Sequence, residues 1–180
     1  MDASPFPPLE AGEYAWEGQD VLPAWAGLQD RGGSYGAPGG ASLSDGTVEL
    51  VVSPPGGEQG RPPLPEQAAA YARLKADGEA VRDAALAAIL DYARGLDPAY
   101  DLPDDLDRAA ICGMVGLSVV HVLDVAKDGL AYVGLELGCD WDEEHGCGVM
   151  THAGRVVEAG PADVSFLEWI AEKDGGTSLG

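Results

Sequence analysis

Residues 130–141 read Leu-Ala-Tyr-Val-Gly-Leu-Glu-Leu-Gly-Cys-Asp-Trp, and their period of two decides the fold class. Ala131, Val133, Leu135, Leu137, Cys139 and Trp141 fall on one face. Leu130, Tyr132, Gly134, Glu136, Gly138 and Asp140 fall on the other. Side chains alternate across a strand, so the pattern describes a half-buried strand with one face in a core. Residues 126–129 form a turn before it, and the β-branched, apolar run 117–125 precedes that turn, which makes an antiparallel hairpin. A second turn at 142–146 leads to short strands at 147–152 and 155–159, joined at Ala153 and Gly154. The C-terminal half is thus a β-meander. On the alternation, Trp141 belongs to the buried face.

Upstream, residues 65–96 are rich in Ala and Leu and open on Pro65 and Glu66, residue types suited to a first helical turn. Val81, Ala85, Ala88 and Tyr92 recur at helical spacing. One helix of that length would run roughly 47 Å at 1.5 Å per residue. A domain of this size has a radius of gyration of only ~16 Å. A break is therefore expected at Asp77 and Gly78, with Gly95 closing the second segment. Residues 47–53 alternate Val48, Leu50 and Val52 against Thr47, Glu49 and Val51, as a strand does. Residues 97–107 carry Asp97, Asp101, Asp104, Asp105 and Asp107 without a base, and Asp104 or Asp105 is placed to cap a short helix through Cys112. Val164, Leu167 and Ile170 mark a short C-terminal helix. The order strand, helices, meander gives an α+β class, an antiparallel meander packed against one or two central helices. Its expected organisation is an irregular Gly/Pro-rich segment over 1–45, the α+β domain over 46–173 and a flexible tail over 174–180.

The chain of 180 residues carries 31 acidic and 10 basic side chains, a formal charge of −21. The acids are spread along the chain. Nucleic-acid backbones and anionic membranes attract Lys and Arg, so neither is expected as a direct partner. A basic protein would be steered toward this surface. No apolar run approaches the ~20 residues of a membrane span, and Met1 to Pro8 lacks the basic and apolar regions of a signal peptide. Three sparse cysteines suit reduced thiols in a cytoplasm.

Chemically dense residues cluster at one place, 139–147, with Cys139, Asp140, Asp142, Glu143, Glu144, His145 and Cys147; His152 follows closely. Cys139, His145, Cys147 and His152 would supply four zinc ligands, but their spacing matches no standard knuckle, and the strand pattern points His152 away from His145 and Cys147. A calcium loop starting at Asp140 fails at its sixth position, His145, and its twelfth, Thr151. Asp142, Glu144 and His145 are the candidate acid/base or metal-assisted catalytic groups. No nucleophile elbow, HExxH or phosphate-binding loop accompanies them, and no cofactor is expected. The competing reading is a tight turn in which the Asp142 carboxylate accepts backbone amides.

Residues 131–135, the stretch Cys139-Asp140-Trp141-Asp142-Glu143-Glu144-His145-Gly146-Cys147-Gly148-Val149, residues 154–158 and Ala162-Asp163 resemble a bacterial family of domains of unknown function. Its mark is Cys-x-Trp-Asp-x-Glu-His-Gly at the end of a meander. Cys147 stands where an aliphatic residue, usually leucine, is expected. The resemblance implies a non-catalytic, immunity-like or accessory protein, with Asp101, Asp104, Asp105, Asp142, Glu143 and Glu144 as the natural contact residues for a basic partner. The alternative is a hydrolytic enzyme centred on the turn from Asp142 to His145.

Overall fold

In the computed structural model, which describes residues 4–32 and 42–176, seven strands form one sheet in sequence order. They are β1 (Glu10–Ala11), β2 (Trp16–Val21), β3 (Thr47–Val52), β4 (Val115–Lys127), β5 (Leu130–Cys139), β6 (Cys147–His152) and β7 (Arg155–Pro161). All neighbours are antiparallel except β3 and β4, which run parallel with Glu49 opposite Val119 and Val52 opposite Val122. Parallel neighbours need a crossover, and α1 (Pro65–Ala76), α2 (Gly78–Arg94) and α3 (Arg108–Met114) supply it. The class is α+β, with the meander β4–β7 in the C-terminal half.

The helix break falls at Asp77, whose φ of −101° and ψ of 19° separate α1 from α2. The buried stripe of α2 is Val81, Ala85, Leu86, Ile89 and Ala93, rotated from the expected face so that Ala88 and Tyr92 are only half-buried. With Tyr71 and Leu74 of α1, this stripe covers the inner sheet face of Val48, Leu50, Val52, Val120, Val133, Leu135 and Val149.

Gln67 ties the two layers together from inside. It is 1% exposed. Its amide nitrogen donates to the Ser53 carbonyl at 2.9 Å and the Leu123 carbonyl at 3.1 Å, and its oxygen accepts the Leu64 amide at 2.8 Å. The Leu123 carbonyl lies where the β4 ladder shifts register between Val122 and Ala126, and Ser53 follows the end of β3, so Gln67 satisfies acceptors that strand pairing leaves free.

Three expectations are corrected. The segment 1–45 was expected to be irregular, yet it contains β1 and β2, and β2 pairs with β3 along its full length; residues 33–41 lie outside the described ones. The expected tail at 174 begins too early. α4 spans Glu168–Gly175, and Asp174 accepts from the Tyr132 hydroxyl at 2.8 Å and pairs with Arg155 at 2.6 Å. Residues 177–180 of that tail lie outside the described ones. Finally, β5 is buried on both faces rather than half-buried. A 3₁₀ turn, Ala162–Ser165, and α4 lie across the outer face, where Leu123, Tyr132, Met150, Val164, Ile170 and Ala171 make a second core. Glycines make this possible: a Cβ on Gly134 would stand 1.6 Å from the Ser165 carbonyl oxygen, and one on Gly148 2.6 Å from that of Ala162.

Two stability outcomes follow. Gly134→Ala should cost about 3 kcal/mol, because backbone must move to admit the methyl group. Gly113→Ala in α3 meets nothing within 4 Å and should gain about 0.5–1 kcal/mol from helix propensity. Paired thermal melts check the contrast. Arg155 and Tyr132 hold the Asp174 carboxyl below the usual carboxylate range. A lowered folded-state pKa gives stability that is full above the unfolded value, about 3.9, and lost as pH falls through the folded one. Asp174→Asn should therefore be the less stable protein at neutral pH and converge with the parent once pH falls below the lowered folded-state pKa, which acid titration of the melting temperature would register.

Candidate functional site

The motif residues occupy the turn between β5 and β6. The ladder releases after Cys139, and the Asp140 amide donates to the Met114 carbonyl at 3.0 Å. Gly146 then donates to the Asp142 carbonyl at 2.8 Å and takes φ +73°. A Cβ there would sit 2.5 Å from the Leu137 oxygen, so the turn requires glycine. The Asp142 carboxylate accepts the His145 amide at 3.2 Å and meets the His145 Nδ1 at 2.9 Å. The expected turn-closing role of Asp142 is thus present. His145 itself is 72% exposed at its side chain, while Glu143 and Glu144 project into solvent. Trp141 is half-buried against the core rather than fully inside, because β5 ends two residues before it and the alternation no longer applies.

The four metal candidates do not converge. Cys139 and Cys147 are buried in the inner core, and His145 lies outside on the turn. His152 is across the sheet, packed on the Tyr132 ring at 4.5 Å between centroids, and its Nε2 meets the Lys127 and Leu130 carbonyls at 3.0 and 3.2 Å. Among the described residues no group of three or more His, Cys, Asp or Glu is placed to hold a metal ion. Of the catalytic candidates, Asp142 and His145 form a dyad; no bond joins Glu144 to it among the described residues.

The acidic loop 97–107 leads into α3, the helix whose Met114 carbonyl receives the Asp140 amide. Asp97 caps a 3₁₀ turn by accepting the Ala99 amide at 2.8 Å, and Asp101 leaves it at φ 53°. The helix cap is Asp107, which accepts the Ala110 amide at 2.8 Å; the expected capping residues, Asp104 and Asp105, are instead free at the surface. Arg94 holds the Leu106 carbonyl with Nε at 3.1 Å and Nη2 at 2.8 Å, which fixes the loop to the end of α2. A groove of about 340 Å³ opens there, with Arg94, Asp97, Asp101 and Asp104 in its wall. Tyr92 of α2 packs against the inner core. Its phenol is pushed up by burial and by the nearby Cys147, Tyr100, Cys139 and Asp142. Asp101, Asp104, Asp105, Glu143 and Glu144 are exposed, and Asp142 is half-buried in its turn.

Two groups escaped the sequence reading. Arg31, the one base among residues 1–60, is fully buried at its side chain and pairs with Asp140 at 2.7 Å; its Nη2 also donates to Gln29. Gln29 bonds the Gly113 carbonyl at 2.8 Å and the same Asp140 carboxylate at 2.9 Å. This clamp fastens the N-terminal segment to the ends of α3 and β5. A lone base in an acid-rich stretch was its available signal. The other group is Glu10, Glu17 and Glu49, which line an open groove of about 640 Å³ over β1, β2 and β3. Alternation marked Glu49 as outward, but β2 gave no comparable pattern.

Fold and site together define an α+β domain with buried thiols and exposed acids on the loop 97–107 and the turn 140–146. Residues 40–167 match a family model described as a domain of unknown function, DUF6985, and the chain belongs to that family. No curated protein and no solved structure matches it. No helix among the described residues is long and apolar enough to cross a membrane.

The turn geometry sets two expected melts. Asp142→Asn keeps an oxygen acceptor for the His145 amide and should shift stability by under about 0.5 kcal/mol, whereas Asp142→Ala should cost about 1 kcal/mol. Half-buried Trp141 replaced by Ala should lose about 1–2 kcal/mol, less than a fully enclosed aromatic.

Proposed function

We propose that this chain is a non-catalytic protein-binding domain, an immunity-like or accessory protein of a bacterial cytoplasm whose partner is basic. The observation that supports the reading is the exposure of Asp101, Asp104, Asp105, Glu143 and Glu144 on the 97–107 loop and the 140–146 turn. Among the described residues no base lies within ion-pair distance of Asp101, Asp104, Asp105, Glu143 or Glu144. Uncompensated carboxylates cost little in water and accelerate encounter with a cationic surface, more so at low salt.

The enzymatic alternative has one observation in its favour. The Asp142–His145 contact leaves the imidazole Nε2 facing outward, as a general base oriented by a carboxylate would be. Its high exposure counts against it, because acid/base groups gain most in a water-excluding cleft.

The test uses two charge-reversal variants: Asp101, Asp104, Asp142 and Glu144 to Lys, and, as control, Glu10, Glu17 and Glu49 to Lys. A partner retained from host extract at low salt should be held by the parent and the control and bound at least ~10-fold more weakly by the first variant. Equal loss in both variants would show only non-specific charge, and no loss in the first would remove this surface from the proposal.

A further inference from the structure

The chain contains no asparagine, but aspartate is followed by glycine at Asp45-Gly46, Asp77-Gly78, Asp128-Gly129 and Asp174-Gly175. A glycine leaves its amide nitrogen unshielded by a Cβ, so that nitrogen can reach the preceding aspartate side chain. The fold restrains three of these pairs. The Asp45 carboxylate accepts the Thr47 amide at 2.9 Å, and buried Gly46 donates its own amide to the Ser44 hydroxyl at 3.0 Å. Asp77 pairs with Arg73 at 3.2 Å, and buried Gly78 opens α2. Asp174 is gripped by Tyr132 and Arg155 near the end of α4. Asp128 and Gly129 differ. They are the exposed turn of the β4–β5 hairpin, between paired Lys127 and Leu130. Among the described residues no hydrogen bond engages the Gly129 amide, and no base pairs with the Asp128 carboxylate. A Cβ on Gly129 would meet nothing within 4 Å. Asp128 itself takes φ 52°, a left-handed conformation that side-chain-bearing residues adopt at a cost.

We propose that Asp128 is a self-modification site, where the hairpin turn converts to isoaspartate while the other three aspartate–glycine pairs are protected by the fold. The Gly129 amide nitrogen attacks the carbon of the protonated Asp128 side-chain carboxyl. The new C–N bond forms, the carboxyl C–O bond breaks, and the amide proton leaves with the hydroxyl as water, which closes a cyclic imide. Water then adds to one of the two imide carbonyls and breaks its C–N bond to the glycine nitrogen. Opening at the side-chain carbonyl restores aspartate. Opening at the main-chain carbonyl leaves the chain running through the former side chain, with the α-carboxyl free. Water lost in the first step is regained in the second, so mass and formal charge are unchanged and no oxidant or enzyme is needed.

The product matters because of what flanks the turn. Isoaspartate adds one carbon to the backbone of a tight hairpin loop, and loop length sets hairpin geometry. The Lys127 and Leu130 carbonyls both meet the His152 Nε2, at 3.0 and 3.2 Å. Lys127 Nζ also donates to the Asp174 carbonyl at 3.1 Å, which helps hold α4 on the outer face. Lengthening the loop displaces Lys127 and so loosens the end of α4. The inference goes beyond the binding role and does not depend on it.

The experiment ages the full chain at neutral pH and body temperature, folded and in parallel in denaturant, until the denatured sample contains isoaspartate. Peptide mapping with electron-transfer fragmentation then locates it. In the folded chain isoaspartate at 128 should exceed that at 45, 77 or 174 by at least ~10-fold, because those three must first open locally. In denaturant, where that protection is gone, the four should agree within ~3-fold. Hydrogen exchange of α4 should be faster in the modified fraction than in the unmodified one. Gly129→Ala, which shields the nitrogen, should remove the product at 128. If strain at the positive φ of residue 129 unfolds that variant, the folded and denatured parent still decide. Isoaspartate at Asp45, Asp77 or Asp174 as abundant as at Asp128 in the folded chain, or none at Asp128 once the denatured chain has formed it, would overturn the proposal. Unchanged exchange in α4 would overturn the link between turn and helix.

Discussion

The parallel pairing of β3 with β4 is the constraint on which the rest of the structure depends. It joins three N-terminal strands to a four-stranded meander, and no hairpin can connect parallel neighbours. Residues 53–114 must therefore leave the sheet, cross it and return. The helices α1 and α2 use that passage to cover the inner face. Their break at Asp77 keeps the crossover within the width of the sheet. Gln67 secures the arrangement where the crossover begins, since its amide bonds backbone from both parallel strands at once. A buried amide with its partners in place rigidifies; the same amide with one partner lost would be a liability in a dry interior.

Covering the outer face is a separate problem, solved by removing side chains. Gly134 and Gly148 sit on β5 and β6 where the backbone of residues 162–165 passes, and carbonyl oxygens occupy the space their Cβ atoms would need. The segment is then held by Tyr132, whose hydroxyl reaches Asp174 and whose pKa is pushed up to about 12 by burial and that carboxylate. With both faces enclosed, β5 and β6 are buried nearly throughout, and the end of β5 at Cys139 is fixed from below by the inner core and from the side by the Arg31–Asp140 clamp. The motif turn thus rises from a rigid base.

Elements with strict periodicity or hard punctuation were legible. Val48, Leu50 and Val52 marked β3, Pro65 marked the start of α1, and the turn glycines placed the meander. β2 was not legible, because its sequence Trp-Glu-Gly-Gln-Asp-Val buries no apolar row. Its inward residue Asp20 is instead held by the Tyr71 hydroxyl at 2.8 Å and Lys75 at 2.7 Å, partners 50 or so residues away that local sequence does not reveal. The error at Trp141 was of another kind: alternation was extended past the point where hydrogen-bonding ends. In the site, the local Asp142 cap could be read, since its acceptor and donor are three residues apart. The Arg31–Asp140 pair could not, because a buried ion pair has no periodic signature.

The distribution of bases gives the −21 charge its physical meaning. Arg31, Arg61, Arg73, Lys75, Arg82, Arg108 and Arg155 each pair with a carboxylate of this chain. Arg94 and Lys127 hold carbonyl oxygens of Leu106 and Asp174. The bases are therefore employed in fastening loops and helix ends, and little positive charge remains to neutralise the surface. Self-repulsion among the remaining carboxylates would disfavour any compact chain, but its cost falls with separation and salt, and spread acids bear it easily. In the loop 97–107 and the turn 140–146, the exposed Asp101, Asp104, Asp105, Glu143 and Glu144 have no base within ion-pair distance among the described residues. Asp104 and Glu144 are both exposed and make no structural bond among the described residues, so neither is needed to hold the fold. A basic partner of the kind proposed above would meet them already free to pair.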